Sequence, residues 1–547
     1  MQAIEKAVEK ALKKVGVQSP TVLEYPSELS HGDFASNAAL VAAKVAGKNP
    51  RALAEEIVKE LGEIEGVEKI EIAGPGFINF HLSRGYFSDT VSKVDESWGS
   101  NDHVKGYKVI IEYGQPNPFK PFHIGHLMSI TVGEAISRLV EFSGATVTRA
   151  NYQGDIGPHV AKCIWSLQKN GGDPSNVNDL GNAYVAGNEA YENDEKAKEE
   201  IDSINKKLYE SDQEFQAMYD AGRKASLAKF EDIYKTLGTT YDQYFFESET
   251  GPIGMTMVKD GLAKGIFEES DGAVVYKGEK VDLHTRVFIT KKGTPTYETK
   301  ELGLVRSKYE AVPFDLNVTT VAIEQDEFFK VVEAALAELW PEMKGVYTHQ
   351  TFGLLKLTTG KMSSRKGNIV TGESLIEDMR TEVRQKMSDR DLGASADAVC
   401  DAVAVAAIKY SILKQARGRN IIFDPQASLS FEGDSGPYLQ YSYVRAMSLL
   451  QKAGEQEIPE LIPELIPEFE RLLPRFPSIV FRAAKEYEPH YITTYLTQMA
   501  SSFNSWYASE RILGSEHEAY KLLLVRAFAQ TMKNGLWLLG IKTPQRM

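Results

Sequence analysis

His123 and His126 stand three positions apart in the stretch Glu112 to Ser129, EYGQPNPFKPFHIGHLMS, with Gly125 between them. Side chains three apart on a helix share a face, so in a first helical turn the two imidazoles project together. Gly125 carries no side chain to obstruct a planar base or a ribose. A helix N-terminus also presents unpaired N–H groups and a partial positive charge, which makes it a seat for phosphate. Paired imidazoles at such a mouth suit a nucleotide, and they suit the negative charge that grows on phosphoryl oxygens during in-line displacement. For a bare His-x-x-His, two ordinary histidines at a helix start, or a pair on a metal, stand as the bland alternative.

The elements that must position these groups can be read on either side of them. Tyr107 to Ile111 is an apolar strand that runs into prolines 116, 118 and 121; proline fixes φ and removes a ladder donor, so the strand stops there. Leu127, Met128, Ile130, Val132, Ala135, Ile136 and Leu139 recur at helical spacing, which predicts a helix starting at or near His123. Thr146 to Tyr152 reads as a second strand. The following NYQGDIG, with Gly154, Asp155 and Gly157, falls where a parallel strand delivers a loop to the same edge of a sheet and is expected to line a substrate pocket. Two more stretches carry chemistry. The small, polar, cationic loop KMSSRKG, Lys361 to Gly367, suits a mobile flap over a triphosphate. Tyr297 and Glu301, four apart, point the same way on a helix, and a phenol beside a carboxylate makes a guanidinium receptor, with helix-surface pairing as the alternative.

Composition narrows the class. The chain has 547 residues, 42% hydrophobic and 25% charged, as an ordinary globular protein does, and its length corresponds to roughly three or four domains. No apolar run reaches the about 18 residues that a bilayer span needs, and Glu5 and Glu9 interrupt any secretory segment at the start. The cytoplasm is therefore expected, with no membrane partner. Cys163 and Cys400 lie far apart with no neighbouring Cys or His at metal-ligand spacing, so no structural metal is expected. Formal net charge is −14, so a polyanionic partner must meet local basic surface rather than overall attraction.

In chain order, residues 1–100 read as an α+β domain. It opens on an amphipathic helix with Ile4, Ala7, Val8, Ala11, Leu12 and Val15 on one face, has a second helix from about Pro50 to Leu61, and ends in two strands around a Gly-Pro-Gly turn between Ile70 and Leu82. Residues 104–375 read as a Rossmann-type parallel-sheet domain, α/β in class, interrupted at about 170–235 by a polar, charge-paired insertion expected to be a solvated helix. Residues 376–547 are almost wholly helical and read as an all-α bundle. Within it Tyr441, Phe503, Trp506 and Tyr507, mixed with Arg445 and Arg526, could stack on splayed bases and neutralise phosphate, although aromatics at helical spacing are more often core.

The extended string PNPFKPFHIGH resembles the signature of arginyl-tRNA synthetases, within the class I aminoacyl-tRNA synthetases, and KMSSRKG resembles the second signature of that class, in the right order. HGD-F-x-S-N and GPGFINF, followed much later by FDPQ...GPYLQYSYVR, SSFNSWY and GLWLLGIKTPQRM, resemble the N-terminal and anticodon-binding domains of the same family. The likeness spans His31 to Met547 and weakens only in the insertion. It implies ATP-dependent formation of arginyl-adenylate and transfer of arginine to the terminal ribose of tRNA(Arg), with magnesium accompanying ATP. It also implies that Lys120, His123, Gly125, His126, Lys361, Ser363 and Lys366 serve the ATP site and catalysis.

By the same resemblance, Glu112, Asn117 and Gln325 attend the α-amino end of arginine, and Glu247, Tyr297 and Glu301 its guanidinium, while Phe77 and Asn79 meet a D-loop base. Read from the residues alone, Phe77 and Asn79 are turn packing and a strand-edge hydrogen bond. Three positions depart from the family pattern. Glu301 replaces an aspartate, Ser364 stands where the second lysine of the loop is expected, and Ala322 replaces a glycine. The cation of the loop that meets the β and γ phosphates is thus left open between Lys361, Arg365 and Lys366. A monomer is expected. Two rivals are a nucleotidylyltransferase with a small acceptor, which leaves the helical C-terminus without a purpose, and a silent paralogue that binds tRNA, which leaves both signature loops without one.

Overall fold

Residues 2–18, 23–26, 28–358, 371–388, 396–454, 459 and 461–547 are described by the computed structural model. The chain forms two compact units, one of Met1–Trp98, Ala446–Phe476 and Met499–Thr531, the other of Gly99–Arg445, Pro477–Gln498 and Met532–Met547.

In the first unit, α1 (Gln2–Lys14), α2 (Ala38–Ala46) and α3 (Pro50–Leu61) cover one face of a four-stranded sheet of β1 (Leu23–Glu24), β2 (Phe34–Ser36), β3 (Val67–Ala73) and β4 (Phe77–Leu82), ordered β1-β2-β4-β3 with every pair antiparallel. The apolar face of α1 is the buried one, since Ile4, Val8, Ala11 and Leu12 join Leu53, Ile57, Ile78 and Phe80 in a single core. Asn49 caps α3 by accepting from the backbone of Arg51 and Ala52, and Pro50 takes the first helical position, where a missing N–H costs nothing. A fourth helix, α4 (Arg84–Ser92), starts on a Ser83 cap. The later segments of the unit are mainly helical among the described residues, and Phe469, Phe503 and Phe528 pack together there, with the rings of Phe503 and Phe528 stacked 3.7 Å apart.

The second unit is built on a parallel sheet. β5 (Lys108–Glu112) leads through the proline-rich loop into α5 (Ile124–Phe142), then β6 (Thr146–Gln153) and α6 (Pro158–Asn170). The insertion contributes α7 (Val177–Asn193), α8 (Glu195–Tyr209) and α9 (Gln213–Leu237), after which the chain returns as β7 (Gln243–Phe246) and α10 (Glu247–Ala263). A small antiparallel sheet of β8 (Glu268–Ser270), β9 (Ala273–Tyr276) and β10 (Arg286–Ile289) precedes α11 (Tyr297–Ala311), β11 (Leu316–Ala322), α12 (Asp326–Leu339) and β12 (Tyr347–Phe352). The five long strands are ordered β12-β11-β5-β6-β7, all parallel. The winding reverses between β5 and β11, so the crevice beyond their carboxyl ends is the topological switch point where open α/β sheets bind ligands. α5 is buried at every position from His126 to Val140 except Arg138, so it needs an apolar surface on nearly every side.

The insertion departs from the expectation of a solvated helix. It is three helices, and their apolar stripes share a core with α6: Leu180, Ala183, Ile201, Ile204 and Phe215 pack with Val160, Ile164, Leu167 and Phe119. Charged residues cover only the outer faces, and it was these that dominated the composition of the stretch. Among the described residues no helix is long and apolar enough to cross a membrane. Among the described residues the remainder is mainly helical, with α13 (Gly372–Lys386) first, and β13 (Leu355–Leu357) pairs in parallel with Ile421–Phe423.

Candidate active site

The loop between β5 and α5 is held in a conformation that side chains rarely adopt. Gln115 and Phe119 have φ values of 49° and 66°, in the left-handed region, and such strain persists only where neighbours enforce it. The neighbours here come from the insertion. The Phe119 N–H donates to Ser226 Oγ at 3.0 Å, and its buried ring lies where a β-carbon at Gly222 of α9 would stand. α5 then starts with His123 as its N-cap, as the apolar spacing predicted.

Both imidazoles are on the first turn, stacked with centroids 3.5 Å apart. His126 is buried while His123 is exposed. His126 Nδ1 accepts the backbone N–H of His123 at 3.2 Å, which leaves the ring proton on Nε2. Burial, then the neighbouring His123, hold His126 well below the ordinary histidine range, so it is a neutral donor. His123 is lowered as well, first by the partial loss of water around its stacked ring and then by Lys120. The His123 ring occupies the space over Gly125, where a β-carbon would lie 3.0 Å from it. A side chain at Gly125 would therefore have to move the histidine ring.

Lys361, Ser363 and Lys366 lie outside the described residues. The chain just beyond their loop is described, and it is joined to the start of α5: Thr371 bridges His123, and the Gly372 N–H donates to the Phe122 carbonyl at 2.9 Å. Lys120 is half-buried, with its ammonium 5.6 Å from the centre of the Tyr184 ring on α7, and burial lowers its affinity for a proton. A cavity of about 610 Å³ lies beside this loop, lined by Lys120, Phe122, Ser226, Lys229, Phe230 and Thr371 among others.

Three acids and two lysines meet at the carboxyl ends of the strands. Glu112, the last residue of β5, is buried against Lys308 and accepts from Gln115 Nε2 at 2.7 Å. Glu247, the first residue of α10, accepts from Lys300 Nζ at 2.8 Å. Glu301, buried on α11, accepts from the Tyr347 hydroxyl at 2.8 Å. Burial first, and repulsion from Glu112 next, push the Glu301 carboxyl up to about 7. Tyr297, one turn earlier, is 70% exposed, so the pair shares a helix face that runs from solvent into the interior.

Asn117 Oδ1 accepts the Gly154 N–H at 3.1 Å, and that bond ties the proline-rich loop to the loop after β6. In the latter loop Asp155 is buried and already committed, accepting from the Tyr219 hydroxyl, Arg223 and the Ser248 backbone and hydroxyl at 2.9 to 3.1 Å. Gln325 is exposed, at the end of the turn that follows β11. Lys300, Lys308 and Tyr347 were not singled out in the sequence. A usable signal existed, because TKELGLVRSK sets charged residues inside an apolar helical run, and a buried charge must have a partner.

The positions marked for RNA fall among the described residues. Asn79 is buried in β4 and Phe77 is half-buried at its start, while Trp506 and Tyr507 are half-buried beside the Phe503 core. The Arg445 guanidinium lies over the Tyr441 ring, 4.8 Å from its centre, and donates to the Tyr441 hydroxyl at 2.9 Å.

Residues 93–425 match the catalytic-domain model of the class I (R) tRNA synthetases, residues 2–82 the arginyl-tRNA synthetase N-terminal domain, and residues 439–547 the DALR anticodon-binding domain. An arginine–tRNA ligase from Ligilactobacillus salivarius is 32% identical, with 100% of this chain and 99% of that one covered. The chain belongs to the arginyl-tRNA synthetase family. An arginine–tRNA ligase from Clostridium perfringens is 31% identical to this synthetase over 96% of each chain. The synthetase also shares its fold with the arginyl-tRNA synthetase of Thermus thermophilus, at a TM-score of 0.85 and 24% identity with both chains fully covered. It is a class I ligase that activates arginine with ATP and charges it onto tRNA, so ATP, arginine and tRNA are its substrates.

Proposed function

We propose that arginine activation runs in the switch-point crevice, with the start of α5 on the phosphates and the acid cluster on the amino acid. The neutral His126, fixed in the Nε2–H tautomer, carries this reading: it donates to a phosphoryl oxygen without having to lose or gain a proton. As the arginine carboxylate attacks the α-phosphorus, charge accumulates on the equatorial oxygens, and His126, His123 and the helix N-terminus stabilise it. Pyrophosphate leaves towards Lys120 and the cations of the loop at Lys361 to Lys366. The terminal ribose hydroxyl of the tRNA then attacks the acyl carbon, losing its proton, while the bond from that carbon to the bridging oxygen breaks and AMP leaves; positioning supplies most of the advantage. No covalent enzyme intermediate is required.

Glu247, Tyr297 and Glu301 receive the guanidinium, and Glu112, Asn117 and Gln325 surround the α-amino end. Phe77 and Asn79, with Tyr441, Arg445, Trp506 and Tyr507, are assigned to tRNA. Magnesium accompanies ATP on its phosphate oxygens. The enzyme is taken to act as a cytoplasmic monomer, with boundaries near residues 100 and 375 between its N-terminal, catalytic and anticodon-binding parts.

Two substitutions separate the halves of the crevice. His126→Ala is expected to slow arginyl-adenylate formation by about 10²-fold or more, as loss of a charge-stabilising donor does, with the KM for arginine little changed. Glu247→Gln is expected to raise the arginine KM by at least about tenfold, equivalent to about 1.4 kcal/mol, with ATP binding nearly intact. Equal losses for both ligands in either variant would point to a damaged fold and would sink the assignment.

A further inference from the structure

The arginine site as described holds a cation that belongs to the protein. Lys300 Nζ lies 2.8 Å from Glu247 Oε2 and 3.3 Å from the Tyr209 hydroxyl, with the ring centres of Tyr297 and Tyr209 at 5.4 and 5.9 Å. One carboxylate and two aromatic faces around an ammonium make a cation cage. Two walls of that cage, Glu247 and Tyr297, are the side chains assigned above to the substrate guanidinium. The third, Tyr209, ends α8 of the insertion.

We infer that Lys300 is a resident cation which arginine must displace, and that this displacement selects arginine over other cationic amino acids. The inference rests on the reading of Glu247 and Tyr297 as the guanidinium receptor.

The two buried ion pairs of the crevice differ in a way that supports this role. In the Glu112–Lys308 pair the side chains are 2% and 0% exposed, whereas Glu247 and Lys300 keep 10% and 9%. The second pair is the more open of the two to an entering side chain. The Lys300 stem lies beside Gly251, where an added β-carbon would stand 3.9 Å away, so no side chain of that helix position presses on it. Tyr209, 43% exposed, gives the displaced ammonium a place to go at the rim.

The exchange chemistry then sets the selectivity. Lysine or ornithine would replace one ammonium by another, remaking the point-charge contact it breaks, with no gain. A guanidinium can take both oxygens of Glu247 through its planar fork, and charge-assisted bidentate bonds are the stronger kind. Glu247 Oε1 is set for that, on the side of Gly154 and away from Lys300.

The test is kcat/KM for arginine and for lysine, measured by aminoacylation with tRNA present, for the full-length enzyme and its Lys300→Met variant. The ratio of arginine to lysine is expected to fall by at least about tenfold, with the arginine KM unchanged or lower. An unchanged ratio, with or without a rise in the arginine KM, would reduce Lys300 to a structural prop and overturn the inference. Should Lys300→Met fail to fold, Tyr209→Phe removes the hydroxyl contact on Lys300 and leaves Glu247 untouched. It is expected to lower the same ratio by about two- to threefold, a small effect for a bond from an ammonium because the 3.3 Å contact is long and Tyr209 is 43% exposed, and no change there is equally decisive against it. If Glu247→Gln leaves the arginine KM where it was, the receptor reading itself fails. If that variant behaves as expected and selectivity does not move, only the role of Lys300 is lost.

Discussion

Glu301 shows how one methylene alters a site. The family pattern has aspartate here, and the longer side chain reaches the Tyr347 hydroxyl, beneath Glu112 and Lys308. Its carboxyl, pushed up to about 7, is favoured in the protonated form by the fold. The folded state thus holds a proton that the unfolded chain releases near pH of about 4, and stability falls as pH climbs from there to about 7. Guanidinium binding has the opposite sense, because it requires the carboxylate. The arginine KM is expected to fall several-fold between about pH 6 and about pH 8, and Glu301→Gln should flatten that slope. Initial-rate measurements across this range decide it, and the same slope in both enzymes would place the titration elsewhere. His126, held neutral by burial, contributes no titration in this window.

Among the elements, the contact of α10 with α11 sets the geometry of the arginine pocket. A β-carbon at Gly254 would collide with the Thr299 carbonyl, and one at Gly303 with the Thr250 carbonyl, so the two helices touch backbone to backbone. That closeness puts Glu247, on the first turn of α10, within reach of Lys300 on the first turn of α11. Gly303→Ala must push the helices apart, with a cost of about 3 kcal/mol, the upper part of the usual overpacking range. Thermal melts should show the lower Tm, and the arginine KM should rise with it. A variant with wild-type Tm would show that the crossing tolerates a methyl group. Such a contact is hard to read from sequence, because both glycines sit in runs whose helical periodicity gives no sign of which helix lies opposite. The α5 start was readable for the converse reason, since prolines, cap and apolar stripe all lie within a few residues of one another.

At the scale of the whole molecule, the unit that holds the N-terminal sheet is completed by segments more than three hundred residues away in the chain. Arg84 pairs with Glu470, which is fully buried and also accepts from the Tyr520 hydroxyl at 2.6 Å, and Asp33 holds both the Leu82 N–H and Arg471 at 2.8 Å. Removing one partner of a buried pair leaves the other charged and unsatisfied. Arg84→Ala should therefore cost about 3 kcal/mol, at the low end for such pairs because Arg84 retains some contact with water. Urea unfolding measures this, and a loss below about 0.5 kcal/mol, a surface-pair value, would contradict it. Phe503, one of the aromatics considered for stacking on RNA, is fully buried in the core of the same unit.

The sequence by itself determined the parallel-sheet class, the helix start at His123, the antiparallel turn before Phe77 and the family. Those follow from local spacing, proline and glycine chemistry, and motif order, all of which lie within short stretches of chain. Only the tertiary structure decided that the charged insertion packs an apolar core against the signature loop, that Glu301 faces Tyr347, and that Lys300 and Lys308 neutralise two of the three acids. Each of these is a pairing between residues distant in the chain, and neither periodicity nor composition states which buried charge meets which.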